Sequence, residues 1–111
     1  TWMISRTCSR KKSSCVLIVS MLQIIIELQS ITSIKEKRRI VNSIKTKAQQ
    51  RFKVSIAEVD LIGSLAFTQI GAAYVSNSKK LGESVMQKTL AFIEDESPGR
   101  IQDVQIYSEV Y

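Results

Sequence analysis

The stretch Ser33-Ile34-Lys35-Glu36-Lys37-Arg38-Arg39 decides how the chain is read. Ser33 and Glu36 have capping-box spacing, in which the hydroxyl accepts from the amide three residues on and the carboxylate returns to the cap amide. A helix starts here. Apolar residues recur at helical spacing, at Ile34, Val41, Ile44, Ala48 and Phe52, with Ile40 at the stripe's edge, so the helix ends near Phe52. The same stretch breaks an electrostatic rule. Lys35, Lys37, Arg38 and Arg39 crowd the positive end of the helix dipole, where each exposed cation is disfavoured by roughly 0.3–1 kcal/mol.

Upstream, residues from about Val16 to Leu28 are rich in Ile, Val and Leu. Leu22, Ile24, Ile26 and Leu28 alternate with Gln23, Ile25 and Glu27, the pattern of a central strand with one wholly apolar face. Downstream, Val54 to Asp60 reads as a second strand. Ile62-Gly63-Ser64 is a short connection that folds a third strand, about Leu65 to Val75, back antiparallel. Gly71, Ala72 and Ala73 are small enough to let a helix or another backbone come close. Ser76-Asn77-Ser78 carries N-cap chemistry for a second helix running to about Asp95. Leu81, Val85, Phe92 and Ile93 form its expected apolar side, flanked by Met86 and Thr89. Ser97-Pro98-Gly99 ends it, and Ile101 to Tyr111 is the last strand.

The order β-α-β-β-α-β is the ferredoxin-like arrangement: an α+β sandwich with an antiparallel four-stranded sheet and two helices on one face. Residues 16–111 form that single domain, and residues 1–15 read as a disordered basic extension.

The 111 residues are 44% hydrophobic and 23% charged, which marks a globular chain with one modest core. The net charge of +6 is unevenly spread: residues 1–16 carry +4, 33–53 carry +7, and 54–111 carry −4. Such polarisation weakens any inference from overall basicity to nucleic acid. Cys8 and Cys15 match no zinc or redox spacing and read as free thiols in a reducing, cytoplasmic compartment. There is no histidine, which removes Ser-His-Asp and Cys-His arrangements. Glu58 and Asp60, at i and i+2, are the only pair worth weighing for acid–base or metal chemistry, and no third group converges with them. The chain has no P-loop and no GxGxxG. No membrane span is expected, because the run from Cys15 to Val19 is too short and is followed by Gln23 and Glu27. The expectation is a protein that is not an enzyme and needs no cofactor or metal.

Three surfaces follow from the topology. The helices run antiparallel, so the start of the first is expected beside Glu94, Asp95 and Glu96, whose carboxylates would offset Lys35, Lys37, Arg38 and Arg39; an anion site there is the alternative. At the opposite end Arg51, Lys53, Lys79 and Lys80 gather with Arg6, Arg10, Lys11 and Lys12 and no acid. That end is the favoured contact for a polyanion, with Lys35, Arg38 and Arg39 second. The open sheet face is expected to show Gln23, Ile25, Glu27, Ile56, Glu58, Phe67, Gln69, Gln105, Tyr107 and Glu109. Its acids would repel phosphate, so it reads as a homodimer interface built on Ile25, Ile56, Phe67 and Tyr107.

SIKEKRR at Ser33–Arg39, FKVSIAEVD at Phe52–Asp60 and IGAAYVSNS at Ile70–Ser78 together resemble the YlxP-like family, small bacterial proteins classed as a domain of unknown function. The resemblance spans roughly Leu17 to Tyr111. It implies the ferredoxin-like fold. The family's association with genes for translation and ribosome maturation implies a role near RNA or the ribosome. Two departures stand out: Gln29 replaces the usual proline after the first strand, and Leu65-Ala66-Phe67 replaces the usual Trp-Gln-Arg. The expectation is a translation accessory that touches RNA or the ribosome. The rival is a protein-interaction or small-ligand-sensing domain working through the sheet face.

Overall fold

The computed structural model describes residues 17–97 and 99–111. The basic extension, Cys8 and Cys15 lie outside the described residues. Six elements follow one another: β1 (Ile18–Glu27), α1 (Ile34–Phe52), β2 (Ser55–Asp60), β3 (Phe67–Ser76), α2 (Lys79–Glu96) and β4 (Arg100–Val110). The strands form one antiparallel sheet in the order β2-β3-β1-β4, so the fold is the ferredoxin-like α+β sandwich.

Both helix starts are set by local chemistry. Ser33 Oγ accepts from the Glu36 amide at 3.1 Å, and Ser78 Oγ accepts from the Leu81 amide at 3.2 Å. Each satisfies one orphan donor, a contribution of about 1 kcal/mol. Glu36 does not return to the cap amide; its carboxylate accepts from the Thr32 hydroxyl at 3.1 Å. Lys53 ends α1 in the left-handed region at φ 58, with its amide bonded to the Gln49 carbonyl.

β1 is central and strictly alternating. Its even-numbered residues, Ile18 to Ile26, face the helices and are buried, while its odd-numbered residues are half-buried on the open side. Leu22, Ile24 and Ile26 join Ile70 of β3, Ile44 and Ala48 of α1, and Met86 and Ile93 of α2 in the core. Complete burial of each such aliphatic side chain stabilises the fold by about 1.5–3 kcal/mol.

Three expectations about packing are corrected. The inward stripe of α2 is Gly82, Met86, Thr89 and Ile93: Ile93 lies on it as expected, Val85 and Phe92 pack half-buried at its edge, Met86 and Thr89 are central rather than flanking, and Leu81 is 47% exposed. Gly82 causes the rotation, because a Cβ there would come within 1.9 Å of the Ser20 hydroxyl. Thr89 tolerates the core by donating its hydroxyl to the Val85 carbonyl at 2.8 Å.

The second correction concerns β2. Ile56 pairs opposite Ala72 and is 6% exposed, so it lies in the core and not in the open-face set with Ile25, Phe67 and Tyr107. Glu58 shares the helix side with it. Ser55, Ala57 and Val59 hold the open side, with a register shift between Glu58 and Asp60. A slip of one residue exchanges the faces of a strand.

The third correction concerns the helix pair. Glu96 at the end of α2 meets Lys47, with Nζ 2.9 Å from Oε1, rather than the first turn of α1. Phe52 and Phe92 pack edge to face at 5.6 Å. The helices are thus offset lengthwise. The cause lies in β2, which spans 6 residues against 10 in β3 and starts opposite Ala73, short of the β3 end. That halts α1 before it reaches the level where α2 begins.

Candidate functional site

The first turn of α1 splits into two environments. Lys35, Arg38 and Arg39 are exposed, whereas Lys37, in the midst of them, is 1% exposed. Lys37 lies on the buried stripe with Val41, Ile44 and Ala48. Its ammonium reaches the β2–β3 loop, where the carbonyl oxygens of Leu61, Ile62, Ser64 and Phe67, at 2.5, 3.2, 2.6 and 2.9 Å, share its three donors. Glu58 Oε2 stands 3.0 Å away as counter-ion and also accepts from the Thr68 hydroxyl at 2.6 Å. A buried ammonium is tolerable only when its three donors and its charge are answered, and here both are. Lys37 thereby satisfies carbonyls of a loop that holds Leu61 at φ 60 and exposes Ile62 and Leu65. Lys37 is a structural lysine, and sequence reasoning placed it with the exposed cations. The signal that marks it is its place on the inward stripe, midway between Ile34 and Val41.

The compensation expected from Glu94, Asp95 and Glu96 for the first turn is not what forms. Lys35 precedes Lys47 by about 18 Å of helix, and Lys47 is the residue that holds Glu96. Lys35 and Arg38 are left exposed on that overhang, and Arg39 sits further along, in a groove with Lys47 and Glu96.

At the far end of α1, Arg51 is no part of an acid-free cluster. Its guanidinium lies 5.7 Å from the Phe52 ring centre and 5.4 Å from that of Phe92, in a groove that includes Asp95. Lys53, Lys79 and Lys80 are exposed at the α1 end and α2 start.

Glu58 and Asp60 do not form an acid pair. Glu58 answers Lys37, and Asp60, beyond the register shift, accepts from the Leu61 amide at 2.7 Å. Among the described residues no three His, Cys, Asp or Glu groups converge, and no helix is long and apolar enough to cross a membrane.

The open sheet face carries Ile25, Phe67 and Tyr107 as expected, together with Val19, Met21, Val59 and Val75. Small residues of β2 and β3 form a depression of about 500 Å³ walled by Met21, Val59 and Tyr107. Gly71 lies beneath Val59, whose methyl would stand 3.1 Å from any Cβ placed there. A side-chain ladder crosses three strands: Gln69 donates to Gln23 at 3.0 Å, and Gln23 donates to the Tyr107 hydroxyl at 3.2 Å. Beyond it, the Glu109 carboxylate accepts the Tyr111 hydroxyl at 2.9 Å and so raises that phenol's pKa above its ordinary value.

The chain is similar to several known proteins. A curated relative, an uncharacterized protein YlxP of Bacillus subtilis (strain 168), is 40% identical over 62 residues, covering 56% of this chain and 67% of the relative. Among solved structures, the de novo designed protein Foldit4 aligns with 86% of this chain and 96% of its own at 11% identity and TM-score 0.48. A dimeric ferredoxin-like protein of unknown function from Thermobifida fusca YX aligns with 86% of this chain and 92% of its own at 7% identity and the same TM-score of 0.48. The family model described as a protein of unknown function (DUF503) matches residues 19–106. With most of its length matched by that model, the chain belongs to the YlxP-like family of unknown function.

Proposed function

We propose that the protein is a non-catalytic, cytoplasmic accessory of translation that contacts RNA, free or within the ribosome, through the basic surface of α1, and that it works as a homodimer. The observation that carries the RNA reading is the helix offset. Lys35 and Arg38 project from an overhang that the acidic end of α2 does not reach, and Arg39 adjoins them. Cations near a helix start work against the dipole, so their placement favours an external anion that relieves it. Lys79 and Lys80 at the α2 start are a second basic group, and Lys53 ends α1 short of their level; Arg51 is committed to the Phe52 and Phe92 rings and contributes less than its sequence position implies.

A salt series with structured RNA and with ribosomal subunits tests this reading. Affinity should fall log-linearly with salt, and each lost phosphate contact should lower the slope by about 1. Lys35→Glu, Arg38→Glu and Arg39→Glu combined should reduce it by about 2–3, and Lys79→Glu with Lys80→Glu by less. Unchanged binding by the triple variant overturns the site. No binding at low salt overturns the class.

The homodimer reading stands on a separate observation, the apolar open face. Val59, Val75 and Tyr107 are 52%, 62% and 37% exposed on one side of one sheet. Contiguous apolar surface of this kind marks interaction sites.

A further inference from the structure

We infer that two copies meet across the open sheet face about a two-fold axis parallel to the strands, so that the Tyr107–Met21 ridge of each fills the Ala73–Ser55 depression of the other; this rests on the homodimer proposed above. The register supplies the reason. Met21 stands opposite Tyr107 on one side and Ala73 on the other, and Ala73 stands opposite Ser55. One row across the sheet therefore runs Ser55, Ala73, Met21, Tyr107: two small residues, then two large. The next row repeats the pattern with Ala57, Gly71, Gln23 and Gln105. In these two rows small side chains of β2 and β3 floor a hollow of about 500 Å³, bounded by Met21, Gln23 and Tyr107 of β1 and β4 on one side and by Val59 of β2 on the other.

A two-fold along the strands lays β4 over the partner's β2, and β1 over the partner's β3. Large residues then cover small ones twice, as an isologous contact requires. A two-fold across the strands would instead lay Gly71 over Gly71 and Ala57 over Ala57, and would leave both hollows empty, against the close packing that interface cores need. The ridge is pre-set, because the Gln69–Gln23–Tyr107 ladder fixes the tyrosine in the free protein. The extent is adequate. Four strands spaced about 4.8 Å along a strand of 10 residues give on the order of 600 Å² in projection, comparable with the roughly 800 Å² of accessible surface that a stable interface buries per partner. Glu27, Asp103 and Glu109, with Arg100 opposite Glu27, border the face with net negative charge and disfavour a polyanion as its occupant.

Sedimentation of variants, alone and mixed, tests the arrangement. The wild type should sediment as a dimer. Ala73→Phe fills the hollow from its solvent side and should be monomeric with an unchanged circular dichroism spectrum; Ser55→Trp, in the same row, should behave alike. Tyr107→Ala should dimerise at least about tenfold more weakly. An equimolar mixture of Ser55→Trp with Tyr107→Ala should recover the dimer mass, because the filled hollow meets the missing ridge in the facing position while the other contact stays native. A monomeric wild type overturns the homodimer itself. A dimeric wild type with Ala73→Phe and Ser55→Trp still dimeric, or with no recovery on mixing, overturns this geometry and leaves the homodimer standing.

Discussion

The two sides of the sheet invert the usual relation between polarity and burial. The helix-covered side holds a buried ion pair, Lys37 with Glu58, whereas the open side presents Val59, Val75 and Tyr107 to solvent. Position β2 makes the contrast sharpest, since Glu58 points inward and the neighbouring Ala57 and Val59 point outward. A charge inside is stable because every donor and acceptor around it is answered. Apolar residues outside need a different account, and the one proposed above is a second copy of the chain.

Breaking the covered side should have the largest effect. Lys37→Ala leaves the Glu58 carboxylate and the loop carbonyls without their donor, and should destabilise by about 3–5 kcal/mol in urea unfolding. Lys35→Ala, on the exposed side of the same turn, should stay within about 0.5 kcal/mol. Next come two neighbours in β1. Ile24→Ala opens a core cavity and should lose about 2–5 kcal/mol, with dimerisation changed little beyond that. Ile25→Ala should lose less than about 1 kcal/mol of monomer stability and should show mainly in the dimer mass. Equal losses at the two positions would erase the distinction between the faces. A smaller effect is expected at Gly82, where α2 rests on Ser20. Gly82→Ala should destabilise by about 1–3 kcal/mol through overpacking, and Ser20→Ala should relieve part of that, since it removes the hydroxyl the new methyl meets.

The element order, both N-caps and the open-face positions of β1, β3 and β4 were legible in the sequence, because each rests on local spacing. What was not legible depends on groups far apart along the chain. The Lys37 cage is built by carbonyls of a loop closed elsewhere in the fold. Without that knowledge Glu58 reads as a solvent-facing acid, and the register of β2 inverts with it, carrying Ile56 to the wrong face. The helix offset follows from the length of β2, which residue type alone does not set. Gly82 turned the α2 stripe by one position because its value lies in the missing Cβ, which a hydrophobic pattern does not register.

The central claim is that the open face is covered by a second copy with ridge against hollow. An isotope-filtered nuclear Overhauser experiment on a mixture of labelled and unlabelled protein tests it directly. The prediction is a contact between the Met21 methyl of one copy and the Ala73 methyl of the other, with the Tyr107 ring against the partner copy's Ser55. Intermolecular contacts confined to the helices, or none at concentrations where sedimentation reports a dimer, would contradict it.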